Sequence, residues 1–321
     1  MSRLGLLMLA TLAAISPARA QDYPTRQVTL VIPFVAGGAI DLAARIWAQK
    51  LAERWGKPVI VENRPGAGSV IASNFVAKAA PDGHTLFVAP SSLAIIPTLF
   101  KALPFDVAKD FVTVAYIADN PLILVVNSSL PVHSIADLVK YAKERPGQLS
   151  YASSGPGSTL QLSAELLKRM TGIEMMHVPY KGGPPAMTDL IAGHVHVLFA
   201  DPASALAQLR MGKVRALGVA SLRRTPAAPD IPPLTEAGLP DFDAVAWVLI
   251  VAPANTPKDI VRKLNAELKI VVTAPDTREQ IVKIGMVPLD SPPPEQLQGF
   301  LPSEIARWGK LVQQAGIAGS E

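Results

Sequence analysis

Short apolar runs alternate along this chain with longer stretches whose apolar residues recur every third or fourth position, and Gly, Pro and Asp clusters separate the two. The first pattern suits strands buried on both faces of a sheet; the second suits helices with one apolar face. Val28 to Ile32 reads as a strand stopped at Pro33-Phe34, and Asp41 to Trp55 as a helix with Ala43, Trp47 and Leu51 on one ridge, closed by Gly56. Val59 to Val61 and Thr85 to Ala89 read as strands, with a helix through Ile71, Phe75 and Val76 between them. The stretch from Pro90 to Pro97 reads as a loop.

The alternation resumes at Leu122 to Val126. Strands are predicted at Leu149 to Ala152, Met175 to Val178, Val195 to Phe199 and Val214 to Ala220. Helices are predicted from Ser134, which has capping-box spacing to Asp137, over Leu160 to Met170, after Pro184-Pro185, and over Ser204 to Met211. Five prolines between Thr225 and Pro240 mark a connector crossing back over the surface. One more strand, Ala246 to Val251, is followed by helices through Leu264 and Leu268, over Glu279 to Ile284, and over Pro294 to Ala315. Strands and helices joined by short connections predict an α/β protein with helix-covered, mainly parallel sheets. A long middle unit followed by a short terminal one predicts a discontinuous first domain, 21–121 completed by 246–321, with a second domain, 122–245, inserted.

A polar or Gly-rich loop runs directly into a helix at Ala36 to Asp41, Gly66 to Ser69, Ser153 to Thr159 and Lys181 to Pro184. Ligands of open α/β sheets bind where such loops lie, at the carboxyl ends of the strands, and free N–H groups at helix starts attract anions. Gly37-Gly38 brings the main chain close to a ligand, and Asp41 is suited to capping the helix that begins there. Lys181 would add a positive charge. This is a device for binding a small anion.

Composition narrows the picture. Arg3, the apolar run Leu4 to Ile15 and Ala18-Arg19-Ala20 have the features of a secretory signal over 1–20. The run is too short to span a membrane. Removing Arg3 and Arg19 from the 30 basic residues leaves 28 against 26 acidic ones. No basic stripe points to nucleic acid. Absence of cysteine excludes disulfides and thiolate chemistry, which fits a large periplasmic domain that needs no disulfide. No nucleophile elbow, Walker A loop, H-E-x-x-H or complete G-x-G-x-x-G is present, and His194-x-His196 lacks an evident third ligand, so no enzyme activity, cofactor or metal is expected.

The segments LVIPFVAGGAID (30–41), VENRPGAG (61–68), AAPDGHT (79–85), LSYASSGPG (149–157), HVPYKG (177–182) and TEAGLP (235–240) together resemble the Bug family, the periplasmic receptors of tripartite tricarboxylate transporters, in order and over nearly the whole mature chain. The resemblance implies a two-domain periplasmic-binding-protein (Venus flytrap) fold with a hinge crossed twice, a monomer that closes on a small organic acid and delivers it to membrane transporter subunits. It implies ligand contacts from Phe34, Gly37, Gly38, Ala39 and Asp41 on one side, and from Ser153, Gly155, Ser158, Thr159, Tyr180 and Lys181 on the other, with Ser91, Ser92 and Asp201 in the walls. A sensor that signals to a membrane histidine kinase would use the same closure. The chain departs from the family pattern in having Ala39 for Ser or Thr, Ile96 for Asn, Ala200-Asp201 for Asp-Asn, and Ala246 before Trp247. These changes point to a ligand with one carboxylate and an apolar or aromatic body.

Overall fold

The computed structural model describes residues 23–226, 228–242 and 244–321; the expected signal segment lies outside the described residues. The first stretch runs β1 (Val28–Ile32), α1 (Ala39–Trp55), β2 (Val59–Asn63), α2 (Val70–Ala77), β3 (Thr85–Pro90), α3 (Ser92–Leu99) and β4 (Phe111–Asn120). The middle runs β5 (Ile123–Asn127), α4 (Ile135–Glu144), β6 (Ser150–Ser153), α5 (Thr159–Thr171), β7 (Met176–Pro179), α6 (Gly183–Ala192), β8 (Val197–Ala200), α7 (Pro202–Arg210) and β9 (Val214–Val219). The last stretch adds β10 (Ala246–Pro253), α8 (Lys258–Thr273), α9 (Pro275–Lys283), β11 (Val287–Pro288), α10 (Pro294–Leu297) and α11 (Phe300–Gln314).

These strands form two sheets, ordered β11-β4-β10-β3-β1-β2 and β7-β6-β8-β5-β9. The α/β two-domain reading therefore holds, with one refinement. The parallel pairings are β2-β1-β3 and β7-β6-β8; β10 runs antiparallel to β3 and β4, and β5 antiparallel to β8 and β9. The two-residue β11 also pairs antiparallel, with β4 at the sheet edge; β10 and β5 are the strands the chain enters directly after passing from one sheet to the other. They start at the edge facing the other sheet, where their neighbours end, so the sheets are mixed. Periodicity reports burial and is blind to this direction.

Two other features escaped the sequence pattern. The expected loop after β3 is the helix α3, which keeps Pro97 inside it and buries Leu93, Ala94, Ile95, Ile96 and Leu99. It is apolar all round, so it shows no amphipathic period. The long strand β4 is interrupted in sequence by Thr113, Tyr116 and Asp119, which hides its apolar run.

One core lies under α1 and α8, where Trp47, Leu51, Leu264 and Leu268 meet Leu30, Ile32 and Val88 of the first sheet. The other is continuous from the opposite face of that sheet, through α3 and α11, to Tyr151 and Phe199 of the second. Glu304 of α11 fastens the end of the chain to the strand that returns from the second sheet. Its Oε2 accepts from Trp247 Nε1 at 2.5 Å and from Trp308 Nε1 at 3.0 Å. All three side chains are buried, so removing the carboxylate strands two indole donors. Glu304→Ala is expected to cost about 2–3 kcal/mol in urea unfolding, and Glu304→Gln, which retains an acceptor, clearly less.

Candidate functional site

Because the parallel strands end at the edge between the sheets, the helices that follow them start there. The N-termini of α1 on one side and of α5, α6 and α7 on the other converge on a cleft of about 520 Å³, counted with its opening to solvent. Its lining includes Gly38 and Ala39 of α1, Thr159 and Leu160 of α5, Gly183 and Pro184 of α6, and Asp201 before α7. Apolar walls come from Phe34, Leu122 and Trp247. The first N–H groups of each helix have no carbonyl one turn back, and the helix dipoles add partial positive charge at the same ends. Proline occupies N1 or N2 of α6 and α7, so fewer N–H groups are offered there than by α1 and α5.

The loop into α1 is held by Asp41, which does not cap the helix from outside. Gly38 is the N-cap residue, and Asp41 lies in the first turn, 2 % exposed, with its carboxylate turned back. Its Oδ2 accepts from Gly37 N at 3.0 Å and Arg45 Nε at 3.0 Å; its Oδ1 accepts from Arg45 Nη2 at 2.9 Å and Asn63 Nδ2 at 3.0 Å. Burial raises its pKa, but the hydrogen bonds from Arg45, Asn63 and Gly37 outweigh it and leave the carboxyl below the usual carboxylate range. Asn63 also donates to Phe34 O at 3.0 Å, which ties the end of β2 to the turn. Gly37 holds φ +95°, a region that favours glycine, and its N–H is already used. The N–H groups left to face a ligand begin at Gly38.

Across the cleft, Ser158 caps α5 by accepting from Gln161 N at 3.3 Å. Ser153 Oγ lies 2.7 Å from His177 Nε2 and accepts from Gly155 N at 3.1 Å. Burial, opposed by the charge of Glu165, pulls the His177 pKa down, so a neutral imidazole supports this loop. Ser154 Oγ, at the cleft itself, is buried with no partner among the described residues. Asn120, at the end of β4, donates from Nδ2 to Asp201 Oδ1 at 2.8 Å and so links the two sheets. Burial pushes the Asp201 carboxyl up, and this bond from Asn120 opposes the shift.

Of the residues expected from sequence, Phe34, Gly38, Ala39, Asp41, Thr159 and Asp201 line this cleft. Gly155, Tyr180 and Lys181 line a wider outer cavity that shares Phe34 and Ser154 with it. Tyr180 is turned away, donating its hydroxyl to Asp189 at 2.6 Å. Ser153 and Ser158 serve their own loop. Ser91 accepts from Trp247 N at 2.7 Å, and the Ser92 hydroxyl pairs with that of Ser69, so both serine hydroxyls are spent inside the first domain. Sequence reasoning missed Asn120, Ser154, Gly183 and Trp247 as lining residues. Ser154 lay inside the loop singled out, next to the serine chosen, and strand alternation could have separated the two. His196 Nδ1 accepts from Ser150 N at 3.0 Å while His194 is exposed, and no group of metal-ligating residues occurs among the described residues.

The family model described as tripartite tricarboxylate transporter family receptor matches residues 43–317. The chain belongs to this family, whose structural neighbours are binding proteins. R. palustris Rpa4515 with adipate is 38 % identical, with a TM-score of 0.88 over 92 % of this chain and 99 % of that one. The periplasmic binding protein BugD is 32 % identical, with a TM-score of 0.87 over 92 % and 99 %. MatC (Rpa3494) from Rhodopseudomonas palustris with bound malate is 35 % identical, with a TM-score of 0.83 over 90 % and 100 %.

Two outcomes are expected from the geometry around the cleft. Asp41→Asn leaves Arg45 without its carboxylate and is expected to lower unfolding stability by about 1–3 kcal/mol at neutral pH, after allowance for the half-exposed arginine. Since the folded-state pKa is depressed, this contribution is present above the ordinary Asp pKa and fades as pH falls through the folded value; the difference between wild type and variant in urea melts shrinks toward acid pH. Ser91→Ala is expected to cost about 1–3 kcal/mol by stranding the Trp247 backbone N–H. For any acid that binds, its affinity should change by less than about twofold by titration calorimetry, because the hydroxyl faces inward.

Proposed function

We propose that this protein is a periplasmic solute-binding receptor that holds a small organic carboxylate between its two domains and delivers it to a tripartite tricarboxylate-type membrane transporter. The observation that carries this reading is the convergence of four helix N-termini, from both sheets, on one cleft lined by no cationic side chain among the described residues. Backbone N–H groups of α1 and α5, with the hydroxyls of Ser154 and Thr159, are the donors suited to a carboxylate there. Structures with adipate and malate in two relatives favour the same ligand class.

The domains are taken as 21–121 with 246–321, and 122–245, joined at Pro121-Leu122 and by the connector before β10. Closure stabilises the bound form only through contacts made to both sides at once, which α1 and α5 supply from opposite sheets. Phe34, Leu122 and Trp247 give the ligand body an apolar seat, in keeping with one carboxylate and an apolar or aromatic remainder. Residues 1–20 direct export, as in a family with periplasmic members such as BugD. No catalytic constellation is assigned; the receptor releases its ligand unchanged.

A melting screen of small carboxylates on the purified protein tests this reading. A ligand bound only by the native state raises its stability by about 2.7 kcal/mol at a hundredfold excess over Kd. At least one monocarboxylate should do so, and Thr159→Val with Ser154→Ala should weaken it about tenfold or more by removing two donors. Citrate binding more tightly than every aliphatic or aromatic monoacid would contradict the ligand class. Failure of every organic acid to shift melting would contradict the receptor reading.

A further inference from the structure

The charges of the cleft run against a simple anion receptor. Among the described residues lining it, the ionisable side chains are Asp41 and Asp201 alone. Asp41 is neutralised by Arg45 and turned into its own loop. Asp201 forms no ion pair with a cationic side chain lining the cleft among the described residues. Its Oδ1 accepts from Asn120 Nδ2 at 2.8 Å. The position of its other oxygen, Oδ2, is fixed by the two glycines near it. That oxygen lies 2.9 Å from where a Cβ on Gly183 would sit and 3.8 Å from where one on Gly38 would sit, so it points between the starts of α6 and α1, into the space between the sheets.

Beside it is an unfilled acceptor. Asn120 is 3 % exposed, and donation from its Nδ2 to Asp201 fixes the amide so that Oδ1 is the free atom; that atom is buried without a partner. A buried acceptor that meets no donor is costly, so this oxygen, next to a carboxyl that faces between two helix starts, marks a place that is completed from outside the protein. A ligand donor completes the Asn120 oxygen. An ionised carboxylate brought there would meet that acceptor oxygen with no lysine, arginine or histidine among the described lining residues to receive it.

We propose that Asp201, oriented by Asn120, sets the specificity of the cleft: the ligand is an organic acid with one carboxylate and a separate hydrogen-bond donor, an amino, amide or hydroxyl group, and acids with a second ionised carboxylate are rejected. The helix starts of α1 and α5 take the carboxylate, Asp201 and Asn120 take the donor, and the Phe34, Leu122 and Trp247 walls cover the carbon chain. A Cβ at Gly183 would stand 2.9 Å from the Asp201 carboxyl oxygen, so a side chain there would have to displace it. This deepens the carboxylate-receptor reading and rests on it.

Titration calorimetry at neutral pH with butanoate and hexanoate, their 2-hydroxy and terminal hydroxy derivatives, and succinate and adipate tests the proposal on the wild-type protein. The best hydroxy acid should bind at least about tenfold more tightly than its unsubstituted parent and than the diacid of equal length. In Asp201→Asn, with cooperative melting as the check on folding, the diacid should gain about tenfold while the hydroxy acid loses a similar factor. A diacid that binds wild type as tightly as the best hydroxy acid, or a ranking that Asp201→Asn leaves unchanged, overturns the role of Asp201 while leaving carboxylate binding in place. Absence of binding by every acid, to wild type and variant alike, overturns the carboxylate reading itself.

Discussion

The constraint on which the site depends is one of direction. In each sheet the parallel strands finish at the edge facing the other sheet, so α1, α5, α6 and α7 all begin there. Their unpaired N–H groups and positive dipole ends must be satisfied by solvent, by a side chain or by a ligand. β10 and β5 run against their neighbours because they enter from this same edge. The crossing of the chain between sheets and the position of the cleft are consequences of one topology.

A cleft made this way favours an anion without burying a cation. A buried arginine or lysine would carry a desolvation penalty whenever the site stood without ligand. Backbone dipoles fixed by helices carry none of comparable size, and they are already oriented when an anion arrives. Asp41 belongs to this arrangement as a support: by using the Gly37 N–H and pairing with Arg45 and Asn63, it holds the turn that presents Gly38 and Ala39. Glu304 does the same for Trp247, on the same side of the cleft, from behind the first sheet.

Much of the fold was legible because burial leaves a period. The strands at β1, β3, β6, β8 and β10 and the helices α1, α4 and α5 show in the spacing of apolar residues, and the Gly-rich loops into helices pointed to the right edge of both sheets. α3 was hidden because a helix buried on all sides has no polar face to set a period, and β4 because Tyr116 and Asp119, which pair with each other, break its apolar run. Strand direction was hidden because it depends on where the chain enters from. Within the site, residue type identified the loops but left their side chains undirected. Ser91 and Ser92 looked like ligand donors and are spent on Trp247 and Ser69; Asn120 stood at the end of an unrecognised strand and so was not considered.

The central claim is that helix-start N–H groups from both sheets grip one ligand carboxylate. Amide chemical shifts followed by NMR, while the protein is titrated with the acid that most raises its melting temperature, test this most directly. The largest shifts are expected at Gly38, Ala39, Thr159 and Leu160 together, with a smaller shift at Gly37, whose N–H stays on Asp41. Largest shifts confined to Gly68, Gly155 and Lys181 of the outer cavity, with the α1 and α5 starts unmoved, would contradict it.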